Sequence, residues 1–295
     1  MPPTKNVSLL RALLTKAESL ASTVSKNEFP VLLRPLAERR KVTSVDFCPL
    51  LVDAMLTTHP EGFRILLNSD GGRDQELKER YRNESKRKLL QPRLRFSIAH
   101  ELAHTFFYDL TGESPKLSKK FKSGGGQTEL ENLERYCNTI ASHLLLPTQM
   151  LSDAFLRIKA ITPESILELA QTTGVSLPAL LFRLDKSDSL FIKKYFRGCI
   201  VLVAQHDEEL KIRAVAKPRS LIIARQLRQM NSNDVWSLKT QGGCEINPTR
   251  LPKSSTAILD VILDQSRCQK EYQIYVAAVG GFDAMNSFLI TFEEK

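Results

Sequence analysis

The order of apolar and polar positions divides the chain into stretches of different texture. Apolar residues recur at helical spacing from Leu9 through Leu13 and Leu14 to Ala21, which predicts an early helix. Phe63-Arg64-Ile65-Leu66-Leu67-Asn68 followed by Ser69-Asp70-Gly71-Gly72 reads as a strand delivered into a turn. From Asp74 to Arg95 the chain is polar and mostly basic, the texture of a solvated helix or an exposed insertion. Helical spacing returns over 95–107 and again over 133–147, where Pro147 supplies the stop. Between these two, Lys119 to Gly126 is glycine-rich and predicts a mobile loop. Thr162 to Leu181 reads as helix, glycine turn at Gly174, helix, with Pro178 in the first turn of the second helix: a helix-turn-helix pattern. Past residue 196, strand-like runs at 200–204 and 272–279 flank a helix-like Ala216 to Met230 and suggest a separate α+β sensor-like domain.

The expected fold class is therefore α+β and multidomain, with divisions at 1–155, 156–195 and 196–295. A length of 295 residues agrees, being too long for one small core. Hydrophobic content of 42% and charged content of 25% are those of a globular chain able to bury real cores. The opening residues lack the apolar stretch of a secretory signal, and no run approaches the roughly 20 apolar residues that span a bilayer, so a cytoplasmic protein with no membrane partner is expected. Cys48, Cys137, Cys199, Cys244 and Cys268 are scattered without a CxxC, which excludes a zinc ribbon and a regular disulfide framework and leaves buried, reduced thiols. The formal charge of +9 allows contact with DNA without requiring it.

The candidate chemistry lies in Arg95-Phe96-Ser97-Ile98-Ala99-His100-Glu101-Leu102-Ala103-His104. Histidines four apart on a helix project from one face at neighbouring heights, so two imidazoles can grip one metal ion. Glu101, turned about 100° from His100, borders the open side of that ion and can take a proton from water there. A catalytic zinc site needs a third protein ligand. The helix over 133–147 offers Glu134, with Asn138 one turn later on the same face and suited to hydrogen-bond a ligating imidazole. Zn2+ is the expected cofactor, with Mn2+ as the alternative ion. His143, nine residues past Glu134, points to the opposite side of its helix. His59 and His206 read as structural or exposed, and Tyr108 as a packing residue.

These residues resemble the ImmA/IrrE metallopeptidases, in which Arg-Phe-x-x-Ala-His-Glu-x-x-His is followed by Glu-x-x-Ala-Asn-x-x-Ala and Leu-Leu-x-Pro. Both phrases occur here in order, with Cys137 standing where alanine is commoner, a small departure that does not touch a ligand. The resemblance implies a gluzincin-like HExxH core with His100, His104 and Glu134 on the metal and Glu101 as general acid and base. The order of the three regions resembles the radiation-response branch of that family, which implies a GAF-like last domain. It also implies cleavage of a helix-turn-helix repressor of the xenobiotic-response-element type, releasing a DNA-damage response. Two alternatives stand beside it: a non-enzymatic DNA-binding regulator, and a peptidase controlling a mobile element or toxin-antitoxin system.

Overall fold

The computed structural model describes residues 3–69, 72–85, 88–112, 114–117, 127–186, 198–206, 209–216, 255–262, 269–282 and 285–294. Two compact units divide the chain: Met1–Leu151 with Gln171–Ser176, and Ser152–Ala170 with Leu177–Lys295.

In the first unit a long helix, α1 (Pro3–Ser25), buries Leu13, Ala17 and Ala21, a stripe at four-residue spacing. A short α2 (Leu33–Arg39) leads into a three-stranded sheet of β1 (Val42–Cys48), β2 (Ala54–His59) and β3 (Gly62–Asn68). Strand order is β1-β3-β2, with β1 parallel and β2 antiparallel to β3. The central strand buries Phe63, Ile65 and Leu67 and exposes Arg64, the alternation of a sheet with one face on a core.

After α3 (Asp74–Arg82), α4 (Pro92–His104) starts with proline in its first turn, where a missing N–H costs nothing. It buries Arg95, Ile98, Ala99, Leu102 and Ala103 against the sheet and against α5 (Gln127–Leu145), which returns Cys137, Ile140, Ala141 and Leu144. A 3₁₀ turn, Thr105–Phe107, follows α4, and the two-residue strands β4 (Tyr108–Asp109) and β5 (Lys116–Leu117) pair beyond it.

The polar run from Asp74 to Arg95 is less solvated than its texture predicts. Tyr81, Leu90 and Arg95 are buried, and the side chain of Glu84 is 1% exposed. The physical reason is pairing: Glu84 and Arg95 neutralise each other, so a charged stretch can enter the core. The glycine-rich segment 119–126 lies outside the described residues.

Helices α6 (Thr148–Leu156), α7 (Pro163–Thr173) and α8 (Leu177–Lys186) follow. The last two are bent by 100° across the turn at Gly174. The second unit also contains an antiparallel sheet of β6 (Gly198–His206), β7 (Glu209–Ala216), β8 (Ser255–Ile262), β9 (Gln269–Phe282) and β10 (Met285–Glu294). Its order is β7-β6-β10-β9-β8, so the last strand is inserted beside the first. The strands expected at 200–204 and 272–279 are β6 and β9. The expected helix from Ala216 falls, past that residue, outside the described residues. Among the described residues no single helix is long and apolar enough to cross a membrane; α7 and α8 approach that only as a sharply bent pair.

Candidate metal centre

Two surfaces build the site: the face of α4 that carries His100 and His104, and one turn of α5. The four-residue spacing sets the two imidazoles edge to face, with ring centroids 5.0 Å apart. Their Nε2 atoms lie 3.2 Å from each other. The carboxylate of Glu134 faces both, Oε2 at 3.0 Å from His100 Nε2 and Oε1 at 3.6 Å from His104 Nε2. Two ring nitrogens and a carboxylate thus converge on one point.

The orientation of His100 is set from behind. Its Nδ1 sits 3.0 Å from Oδ1 of Asn138. An amide oxygen only accepts, so His100 Nδ1 carries the proton and Nε2 presents a lone pair toward His104 and Glu134. Lone pairs and a carboxylate aimed at a common point repel one another unless a cation lies among them. In a tetrahedral zinc site with bonds of about 2.0–2.2 Å, the donors stand about 3.3–3.6 Å apart, close to the separations here. The residues fit a zinc ion.

His104 is also tuned as a neutral ligand. Burial lowers its pKa first, the neighbouring His100 lowers it further, and Glu134 opposes both.

Glu101 is 6% exposed, against 54% for the side chain of Glu134. Its carboxyl is pushed above the ordinary range by burial; His100 opposes the shift, Glu134 adds to it, and the backbone N–H of Leu56 on β2 restrains it by donating to the carboxylate. The edge strand therefore holds one partner of the HExxH helix directly.

Two residues here were not singled out by the sequence as site residues. Cys137 is buried with its Sγ 3.3 Å from His104 Nδ1. The expectation that this departure from the family pattern avoids the ligands is corrected: the thiol touches one of them. His100, His104 and Cys137 together form a second geometrically possible donor set, with one ligand atom of each within 4.8 Å of the others. The set containing Glu134 is the better one, because Cys137 meets the Nδ1 side of His104 while His100 and Glu134 meet its Nε2 side. Burial, then the charges of Glu134 and Glu101, also hold the thiol protonated.

Arg40 is the other residue. Its Nε donates to Thr105 Oγ1 at 2.9 Å, its Nη2 to Thr105 O at 2.5 Å, and its guanidinium lies 4.4 Å from the centroid of Phe106. A cation on the carbonyl of Thr105, the residue that caps α4, pins the helix end one residue past His104. Burial lowers its pKa to about 10.

The remaining candidates lie apart. His143 Nδ1 is 2.6 Å from Glu18 Oε1 on α1. His59 Nδ1 accepts from the N–H of Glu61 at 3.4 Å. Tyr108 packs edge-on against Phe63 with centroids 5.1 Å apart. The side chain of His206 is outside the described residues.

Residues 85–185 match the family model described as the IrrE N-terminal-like domain of the M78 peptidases, whose members are metal-dependent. The stretch holds both helices of the site and about a third of the chain. The chain is also similar to a solved structure, a Mycobacterium tuberculosis transcriptional regulator, at 14% identity and a TM-score of 0.49, covering 96% of this chain and 76% of that one. None of the curated proteins matches it.

Proposed function

With an IrrE N-terminal-like peptidase domain at residues 85–185 as the premise, we propose that this chain is a zinc-dependent regulatory endopeptidase. One observation carries the reading: His100 Nε2, His104 Nε2 and the Glu134 carboxylate converge within 3.0–3.6 Å while the carboxyl of Glu101 lies buried beside them. Three ligands leave a fourth position open, which distinguishes a catalytic from a structural zinc site.

His100, His104 and Glu134 hold the ion, and Asn138 orients His100. When bound, zinc polarises a scissile carbonyl and makes a water easier to deprotonate. Glu101 takes that proton on its carboxylate and hands it to the departing amine. A carboxyl raised by burial is suited to both halves of the transfer, since it gives the proton back readily. Arg40 and the Leu56 N–H keep α4 and Glu101 in place.

The substrate we propose is a helix-turn-helix repressor of the xenobiotic-response-element type, whose cleavage induces a DNA-damage response. What supports it is the resemblance of the motifs together with the order of regions: a peptidase domain, a bent helix pair, then a sensor-like sheet. The divisions 1–155, 156–195 and 196–295 belong to the same proposal, as does a GAF-like nature of the last sheet, which rests on its antiparallel order with the final strand beside the first. The non-enzymatic, DNA-binding reading is weaker, because α8 offers little to a groove. Among its described side chains only Phe182 is exposed, and Arg183 is 2% exposed.

The test is incubation of the purified chain with candidate repressors from the same genome, with zinc or manganese. A single cut that a chelator abolishes is the expected outcome. Repressors left intact in every metal condition, with tight sequence-selective DNA binding by the chain, would favour the regulator. Cleavage of a mobile-element or antitoxin repressor instead would redirect the biology and leave the chemistry standing.

A further inference from the structure

One turn of α5 faces both histidines of α4. Glu134 meets the two Nε2 atoms; Asn138, four residues on, meets Nδ1 of His100; Cys137, three residues on, meets Nδ1 of His104. Each imidazole therefore has a partner on its outer nitrogen, and both partners come from adjacent positions of the same helix. Metal-ligating histidines owe their orientation and part of their affinity to such a partner. The partner is ordinarily a carboxylate, a backbone carbonyl or water. Here, for His104, it is a sulfur atom with no solvent exposure.

We propose that Cys137 is a positioning residue of the metal site: its Sγ accepts the Nδ1–H of His104, selects the tautomer whose Nε2 is free for zinc, and fixes the ring against Glu134 and His100. This rests on the zinc-site reading above.

The geometry supports the direction of the bond. A separation of 3.3 Å suits an N–H donating to sulfur, which is larger than oxygen. A buried thiol has no water to replace it as acceptor, so removing sulfur leaves the Nδ1–H of a half-buried ring unpaired. The ring then gains freedom to turn about χ2, and a second orientation competes with the ligating one. Alanine favours a helix and removes only the sulfur, so Cys137→Ala is expected to fold.

Three measurements on the full chain test this. In the first, zinc affinity is read by competition with a chromophoric chelator for the wild type and for Cys137→Ala, Cys137→Ser and Glu134→Ala. Cys137→Ala should bind zinc about 10-fold more weakly, with Cys137→Ser, which keeps an acceptor, recovering part of the loss. A Cys137→Ala affinity within about twofold of wild type overturns the inference. Glu134→Ala separates the two levels of the argument: if it too binds zinc like wild type, the site itself has been misread, whereas a large loss there beside none in Cys137→Ala condemns only the role of the thiol.

The second measurement needs no variant. In zinc-loaded wild type, imidazole 15N resonances should show the proton of His104 on Nδ1. A proton on Nε2 would mean that the ring is reversed, with Nδ1 and Cys137 turned to the metal, and would overturn the proposal. A thiolate-to-metal charge-transfer band in the cobalt-substituted protein, lost in Cys137→Ala, would overturn it in the same way by making Cys137 a ligand.

Discussion

Arg95 and Glu84 form an ion pair with both side chains out of solvent, 0% and 1% exposed. Arg95 also donates to the carbonyl oxygen of Gly174 at 2.9 Å and to that of Val31 at 2.7 Å. Glu84 in turn accepts from the N–H of Leu33 at 2.7 Å, at the start of α2. One guanidinium thus joins α4 to Glu84, to Val31 and to Gly174. Breaking a buried pair from one side leaves an uncompensated charge, so Arg95→Ala should lose about 3–5 kcal/mol. Denaturant unfolding checks this, and a loss of under about 1 kcal/mol would place the pair among ordinary surface contacts.

Gly174 serves the same joint. Its φ of 68° lies in the left-handed region, and a Cβ there would stand 2.6 Å from Leu89 Cδ1 and 3.2 Å from Arg95 Nε. Gly174→Ala therefore carries both a conformational cost of about 1–3 kcal/mol and a displacement of Leu89. Thermal unfolding should show the loss. A double variant with Leu89→Ala should recover the steric part and leave the conformational part, and full recovery would show that backbone strain plays no role.

The core of the site was legible because its information is local. His100 and His104 are one turn apart on one helix, and Glu134 and Asn138 one turn apart on another, so spacing alone aligned each pair. The interlocking of the pairs was not local. Cys137 meets His104 across 33 positions, Arg40 meets Thr105 across 65, and Arg95 meets Gly174 across 79. No periodicity announces such contacts. Cys137 reads in the sequence as a mere substitution for alanine because its neighbours in sequence are not its neighbours in space. The run from Asp74 to Arg95 reads as solvated because charge is normally exposed, and the placement of Glu84 beside Arg95 reverses that. The sequence does carry one cue: an arginine heading an otherwise apolar helix face needs a buried acceptor, and Glu84 lies eleven residues before it.

Helix α1 is tied to α5 and α6 by Glu18, whose Oε1 is 2.6 Å from His143 Nδ1 and 2.9 Å from the N–H of Thr148, and which also accepts from the Thr148 hydroxyl. Burial alone would raise the Glu18 pKa, but these hydrogen bonds and the charge of His143 together hold it below the usual 4.5. A depressed folded pKa means that the carboxylate form is favoured by folding. Its stabilisation is full above the unfolded value near 4.5 and fades as pH falls through the lower folded value. Glu18→Gln should accordingly melt below wild type at pH 7, with the difference shrinking below about pH 4. A difference that stays constant to about pH 3 would mean that the ionised form of Glu18 contributes nothing.

Glu101 offers the sharpest separation of binding from chemistry. It is not among the three groups that converge on one point between α4 and α5, yet it is the buried carboxyl beside them, and the Leu56 N–H donates to it. Replacement by glutamine keeps its volume and an oxygen for that N–H, but removes the capacity to accept and return a proton. Glu101→Gln should therefore leave zinc affinity near wild type while lowering the cleavage rate by about 10²–10⁴-fold. Zinc titration and timed cleavage of the same repressor substrate read the two effects independently. If zinc binding falls together with cleavage, Glu101 supports the ligands and does not transfer the proton; if cleavage persists near wild-type rates, the general base must be sought in another group at the mouth of the site.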